Sequence, residues 1–382
     1  MIYITFCQNQ NQINLIYEAR FIKKKFKNSI FNFTNKTKEL ILQNLIAKSN
    51  FYLKKSEINS GIDIGQDFIN KKSKSILGDN FNIGDGVFNL SNSEYEKYNF
   101  LDAEKEIIKP FFTTTEINRY LSTNKNNYWV IYTTSKFKKP EEIIPYPNIK
   151  EHLNKFKNII TSDNRPYGLH RARNEAIFKG EKILSIRKCI KPSFTFVDFD
   201  SYVNRTYLII KTNRINLKYL VTLFNSKIVK FWLKKKGKLQ GELFQVDINP
   251  LTSIPIINLF PESQHPFIEK ADIMHSLNKQ KQEKINKFLH RLETSFAIEK
   301  LSTKLKCFYE YDFKTLISEL KNKKVKLSFS QQDEFEEYFN NYKDEINELQ
   351  KQIDKTDKEI DQMVYELYGL TKEEIEIVDG SS

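Results

Sequence analysis

Residues 335–367, FEEYFNNYKDEINELQKQIDKTDKEIDQMVYEL, carry the clearest pattern in the chain. Phe335, Phe339, Tyr342, Ile346, Leu349, Ile353, Thr356, Ile360, Met363 and Leu367 follow one another in alternating steps of four and three. An α-helix gathers such positions on one side. The seam therefore predicts a helix about 50 Å long, at about 1.5 Å per residue, with one face buried. Leu327–Gln331 leads into it, and Ser330 stands where an N-cap is expected. Upstream, Phe267–Phe296 places Met274, Leu277, Ile285, Phe288 and Leu292 at helical spacing. An antiparallel pair within the chain is the first reading, and a dimerising coiled coil the other.

Before these helices the pattern is different. From about Phe51 to Pro255 it mixes short strands and short helices. Tyr128–Tyr132 and Thr206–Ile210 are rich in β-branched and aromatic residues, which fit a pleated surface. Leu217–Lys235 reads as one helix, with Leu220, Leu223, Phe224, Ile228 and Phe231 on one side. Pro250, Pro255 and Pro261 punctuate the exit. At the other end, Ile2–Phe6 and Ile13–Tyr17 read as strands separated by Gln8–Gln12, with no sheet of their own to join. A lysine-rich stretch, Lys23–Lys27, and a helical pattern over Glu39–Ala47 follow. Glycines in Gly61-Ile62-Asp63-Ile64-Gly65 and Gly84-Asp85-Gly86 fit hairpin turns that need positive φ. The fold class is α+β, a mixed region followed by a long helical, antiparallel coiled-coil-like C-terminal region.

Composition excludes several classes. The chain has 382 residues, of which 40% are apolar and 30 are Phe, enough for a sizeable core. Only 11 Gly and 10 Pro argue against disorder. Cys7, Cys189 and Cys307 are isolated, so neither a zinc site nor a disulfide framework is expected. The apolar run Met1–Phe6 is too short for a signal peptide or a membrane span. A soluble cytoplasmic protein without a membrane partner is expected.

Charge is unevenly distributed. The net charge is +13, yet residues 331–382 hold five basic and sixteen acidic side chains, a local charge of −11. Residues 161–240 hold eighteen basic and five acidic side chains, a local charge of +13. A positive field concentrated on one module suggests a polyanion partner.

Catalytic motifs are missing. There is no Gly-x-x-x-x-Gly-Lys-Ser/Thr loop, no Gly-x-Ser-x-Gly elbow and no His-Glu-x-x-His helix. His152, His170, His265, His275 and His290 lack a metal-ligand spacing. Asn249-Pro250-Leu251-Thr252 lacks the second proline and the aromatic of an amino-methyltransferase loop. Asp312 with Glu319-Leu320-Lys321 superficially fits a nuclease pattern, but on a helical stretch where a nuclease would use a strand. No catalytic, cofactor-binding or metal residue is assigned.

The order of several segments is more telling than any one of them. Gly61-Ile62-Asp63-Ile64-Gly65 is followed by Glu106-Ile107-Ile108-Lys109-Pro110-Phe111-Phe112 and Glu116-Ile117-Asn118-Arg119-Tyr120. Next come Trp129-Val130-Ile131-Tyr132, Leu169-His170-Arg171-Ala172-Arg173 and Lys182-Ile183-Leu184-Ser185-Ile186-Arg187. Tyr219–Lys227 and Ile254-Pro255-Ile256 close the series, and Tyr365–Ile375 forms a matching tail. Over about residues 55–380 the chain resembles the TaqI-like C-terminal specificity domain of adenine-specific DNA methyltransferases, and most closely type IIG restriction-modification enzymes.

That resemblance implies a plan and a partner. Residues 1–50 would be the remnant of a methyltransferase domain end and a linker, 51–260 the target-recognition domain, and 261–382 a helical scaffold tail. The partner would be double-stranded DNA, with a methyltransferase or nuclease polypeptide supplying catalysis. S-adenosylmethionine and magnesium are expected only for upstream domains that this sequence does not hold, so a fragment or a split-gene subunit is the expectation. His170, Arg171, Arg173, Arg187, Lys188, Lys191 and Arg205 are the candidate base and phosphate contacts. Lys234, Lys235, Lys236 and Lys238 suit phosphates. The rival reading is a protein-interaction subunit that docks through its C-terminal helix without reading DNA.

Overall fold

The computed structural model describes residues 2–5, 18–21 and 36–380. The chain divides into two compact units, residues 1–41 and 42–382. In the first, strands β1 (Ile2–Thr5) and β2 (Glu18–Phe21) pair antiparallel, with Ile2 opposite Phe21. The first expected strand is thus present. The second, Ile13–Tyr17, and the Lys23–Lys27 stretch lie outside the described residues. Helix α1 (Lys36–Lys48) covers the helical pattern at Glu39–Ala47.

The second unit opens with a clasp. Phe51 N donates to Ile256 O at 3.0 Å and Ile256 N to Phe51 O at 3.1 Å, joining the two ends of the mixed region. Between them the chain forms β3 (Ile58–Ser60), α2 (Lys71–Leu77), β4 (Asn89–Ser91), α3 (Asn92–Lys97), α4 (Asp102–Ile107), β5 (Ile108–Phe111), β6 (Ile117–Asn118), β7 (Leu121–Ser122) and β8 (Tyr128–Ile131). There follow α5 (Pro147–Asn154), β9 (Lys182–Ile186), β10 (Lys188–Cys189), β11 (Phe194–Val197), β12 (Tyr207–Ile210), α6 (Leu217–Phe224), α7 (Lys227–Lys236), β13 (Lys238–Gln240), β14 (Leu243–Gln245) and α8 (Ile248–Thr252).

Two sheets share one core. A four-stranded sheet runs β11-β9-β12-β3, antiparallel throughout. Every residue of β12 is buried, as are the first four of β9. The unbroken apolar run of β12, Tyr207–Ile210, marks a strand covered on both faces. A three-stranded sheet runs β4-β8-β5, and Phe111 on β5 bridges to Tyr202 beside β12. Tyr202 stacks on Phe178 at 5.0 Å and meets Tyr132 edge-on at 5.2 Å, in the middle of the shared core.

The helix expected over Leu217–Lys235 is two helices. Asn225 Oδ1 accepts from Phe194 N at 3.0 Å and its Nδ2 donates to Phe194 O at 2.8 Å, so its amide extends the edge of β11. Ser226 then caps α7. A side chain that hydrogen-bonds a strand in this way interrupts the helix, and nothing in the local apolar spacing reports it. All of α6 except Lys218 is buried.

The tail comprises α9 (Pro261–Phe296), α10 (Thr303–Lys306), α11 (Phe313–Asn322), α12 (Phe329–Leu367) and α13 (Lys372–Gly380). Pro261 occupies the first turn of α9, where a missing N–H costs nothing. Lys270 meets Glu359, Lys281 meets Gln350, Lys284 meets Glu345, and Phe288 lies against Phe339. Numbers rise on α9 as they fall on α12, so the pair is antiparallel, as the seam suggests. The N-cap is Ser328 rather than Ser330: Ser328 and Gln331 bond each other's backbone N–H at 2.9 and 3.3 Å and start the helix earlier. The seam also changes. Through Ile360 its buried positions are as expected, but beyond it Asp361, Val364 and Tyr365 are buried while Met363 and Leu367 are half-buried. There α12 meets the start of α7, where Asp361 Oδ1 accepts from Lys227 N at 2.8 Å. Among the described residues no helix is long and apolar enough to cross a membrane.

Candidate nucleic-acid interface

The segment Gly61–Gly65 leaves β3 and threads between two other stretches of backbone. Ile62 N donates to Val203 O and Arg205 N to Ile62 O, both at 2.8 Å. On its other side Asp63 and Arg171 exchange backbone hydrogen bonds at 3.0 and 2.9 Å. Gly61 is required by proximity: a Cβ there would lie 2.2 Å from Asn204 O. Gly65 is required by its φ of +87°. The segment is therefore an extended crossing rather than the hairpin turn its glycines suggest. It fails as a turn because its partners, Arg171 and Val203–Arg205, are remote in sequence.

This crossing gathers four of the candidate side chains around Asp63. Arg205 Nη1 lies 3.3 Å from Asp63 Oδ2, and Arg171 is exposed beside it. Arg173 has a φ of +73° and donates from Nε to Gly61 O at 3.1 Å. Tyr132 Oη holds that unusual backbone by donating to Ala172 O and Arg173 O, at 3.2 and 3.0 Å. His170 Nδ1 is 3.5 Å from Asp163 Oδ2. His170, Arg205, Asp63 and Asp67 line a polar cleft of about 470 Å³. Burial lowers the pKa of Arg173, and the like charges of Arg171 and Arg187 lower it further against Asp63. Guanidinium groups have been brought close enough to repel one another, an arrangement that an anionic partner would relieve.

A second cluster surrounds the three-stranded sheet β10-β14-β13. Lys188 and Lys238 both lie opposite Gln245, one on each side, so the two lysines share a face. Both are exposed, as is Lys191. Lys234, Lys235 and Lys236 are half-buried in the last turn of α7, where cations oppose the helix dipole. Lys236 Nζ lies 5.7 Å from the centroid of the Trp232 ring. Lys230, not singled out in the sequence, belongs here: burial first, then Lys234, Lys191 and Lys227, lower its pKa. Arg187 stands between the clusters and is already paired, with Nη2 2.5 Å from Asp247 Oδ1. Ten of the eleven candidates thus form two groups, with Arg187 between them.

The residues weighed for chemistry make structural contacts. Asp312 caps α11 by accepting from Thr315 N at 2.9 Å, and Glu319 accepts from Ser302 Oγ at 2.7 Å. Asn249 and Pro250 sit inside the short helix α8. His152 is buried between Tyr98 Oη and Val87 O, each at 2.8 Å, and burial pushes its pKa down to about 4. Among the described residues no three His, Cys, Asp or Glu side chains are grouped to hold a metal ion.

Fold and site together define a mixed α+β module with a helical tail and two cationic clusters on its surface. Residues 109–256 match the family model of the TaqI-like C-terminal specificity domain. Residues 261–364 match a domain of unknown function (DUF8810). All candidates from His170 to Lys238 fall within the first match, whereas the Gly61–Gly65 crossing and the Tyr365–Ile375 tail fall outside both. Among solved structures, the type IIL restriction-modification enzyme MmeI in complex with DNA is similar with a TM-score of 0.42 and 13% identity. The similarity covers 61% of this chain and 28% of that one. No curated protein matches the chain.

Proposed function

We propose that this chain reads duplex DNA as the specificity part of a type IIG-like restriction-modification system in the cytoplasm. The observation that carries this reading is the polar cleft lined by His170 and Arg205, with Arg171 paired to its Asp63 and Arg173 bonded to Gly61 beside it; all four cationic candidates lie within the matched residues. Arginine forks suit guanine edges in the major groove, and the lysines around β10-β14-β13 suit phosphates. A methyltransferase or nuclease polypeptide would supply catalysis, together with any S-adenosylmethionine and magnesium. Residues 51–260 would recognise the target and 261–382 would brace the reader. The rival docking role for α12 loses its surface, because the seam is already filled by α9 and α7.

The test compares the full chain with an Arg171→Ala/Arg173→Ala variant on sequences selected from a random duplex pool. Two lost base contacts should weaken the selected duplex by about 30–20,000-fold while leaving random duplex nearly unchanged. Equal loss on both would remove base reading from this cluster.

A further inference from the structure

The small sheet β10-β14-β13 holds more than lysines. β13 leaves α7 through Gly237, where a Cβ would lie 2.5 Å from Leu233 O. Gln240 pairs with Leu243, leaving the two-residue connection Gly241-Glu242, with Gly241 at φ +63°. Two-residue hairpin loops need positive φ at the first central position, which Gly provides. β10 pairs with β14 only at Lys188 and Cys189, so the turn end of the hairpin reaches beyond the last pair.

On this projecting hairpin Leu239 is 57% exposed and Leu243 37%, and Ile190, just past β10, is 55% exposed. Leu243 shares the face of Lys188 and Lys238, and Leu239 takes the other, as the register requires. One leucine on each face suits an element enclosed on both sides rather than laid flat. Charge is ordered along the ribbon as well. Lysines surround its base, and Glu242, exposed at the turn, is the carboxylate of the hairpin.

We propose that the β13–β14 hairpin enters the major groove of duplex DNA, with its lysines at the phosphate rims and Leu239, Leu243 and Glu242 at base edges. The inference rests on the DNA-reading function above and names the element that does the reading. A two-stranded ribbon fits the major groove, about 12 Å wide, and not the minor groove, about 6 Å wide. The thymine C5 methyl is an apolar group on that floor, and the cytosine N4 amine donates to a carboxylate. Glu242 would be repelled by phosphates, so a glutamate at the tip beyond a lysine-rich base fits contact with bases and not with backbone.

Duplexes selected by the full chain from a random pool are prepared with thymine or with uracil in its place. The replacement removes only major-groove methyls. The wild-type chain should prefer the thymine form several-fold, and a Leu239→Ser/Leu243→Ser variant should lose that preference while keeping its salt dependence. Glu242→Gln should lose about tenfold discrimination at a C·G position. These side chains are exposed, so the variants should unfold at the wild-type temperature. Equal binding of both forms by the wild type, or an unchanged preference in the leucine variant, overturns hairpin insertion and leaves DNA reading standing. No duplex binding by the wild type overturns both.

Discussion

Arg119 Nη2 donates to Asp357 Oδ1 at 2.6 Å, and this pair ties the mixed region to the long helix α12. The same guanidinium donates to Asn225 O at 3.0 Å and, from Nε, to Pro192 O at 3.2 Å. Nearby, Lys227 Nζ in the basic region reaches Asp379 at 3.1 Å. The acidic tail and the basic module are thus partners within one chain. Part of the charge asymmetry in the sequence is neutralised internally.

Removing Asp357 should leave Arg119 half-surrounded by carbonyls and without its counter-ion. Asp357→Ala is expected to lower stability by about 1–3 kcal/mol in chemical denaturation, since breaking one side of a partly buried pair strands the other charge. A change within a few tenths would show that the carbonyls alone satisfy Arg119.

Asp361 behaves differently. Burial pushes its pKa up to about 6, against the pull of Lys227 N–H. A carboxyl whose folded pKa exceeds its unfolded value favours folding when protonated. Its contribution is complete below about pH 4 and fades as pH rises through 6. Asp361→Asn, which mimics the protonated form, should match the wild type in acid and melt at a higher temperature at pH 7–8. A lower melting temperature at pH 7–8 would show that the ionised group is needed.

Lys182 is wholly buried and donates from Nζ to Gly180 O and Phe199 O, each at 2.7 Å. Burial pushes its pKa down to about 7 from an ordinary 10.5. Between those values the unfolded chain binds the extra proton, so stability rises with pH. Lys182→Met should flatten that rise in melting temperature between pH 7 and 10 and, by orphaning two carbonyls, lower stability most at the alkaline end. A parallel pair of pH profiles would place the proton elsewhere.

The two clusters should separate in function. Arg171→Ala is expected to relax preference at one base position, whereas Lys235→Ala should weaken all duplex sequences alike and reduce the salt slope by about 1. Selection from a random pool, followed by titration at several salt concentrations, reads both effects.

Much of this was legible because burial repeats along the chain. The α12 seam, the strands at Tyr128 and Tyr207, and the basic module all follow from local pattern or composition. What was not legible depends on remote backbone. Asn225 breaks a helix because Phe194 lies beside it, Gly61 is needed because Asn204 crosses it, and the seam slips after Ile360 where Asp361 meets the start of α7. The β13–β14 hairpin did leave a signal, Gly241-Glu242 between Lys-Leu-Gln and Leu-Phe-Gln, a two-residue loop of the kind that favours glycine first.

The central claim, that this domain binds duplex DNA through its cationic clusters, is tested most directly by the salt dependence of duplex affinity. The logarithm of affinity should fall linearly with the logarithm of salt concentration, with a slope of about −0.9 per phosphate neutralised and several phosphates engaged. A flat response, or retention by heparin with no binding to duplex, would contradict the account.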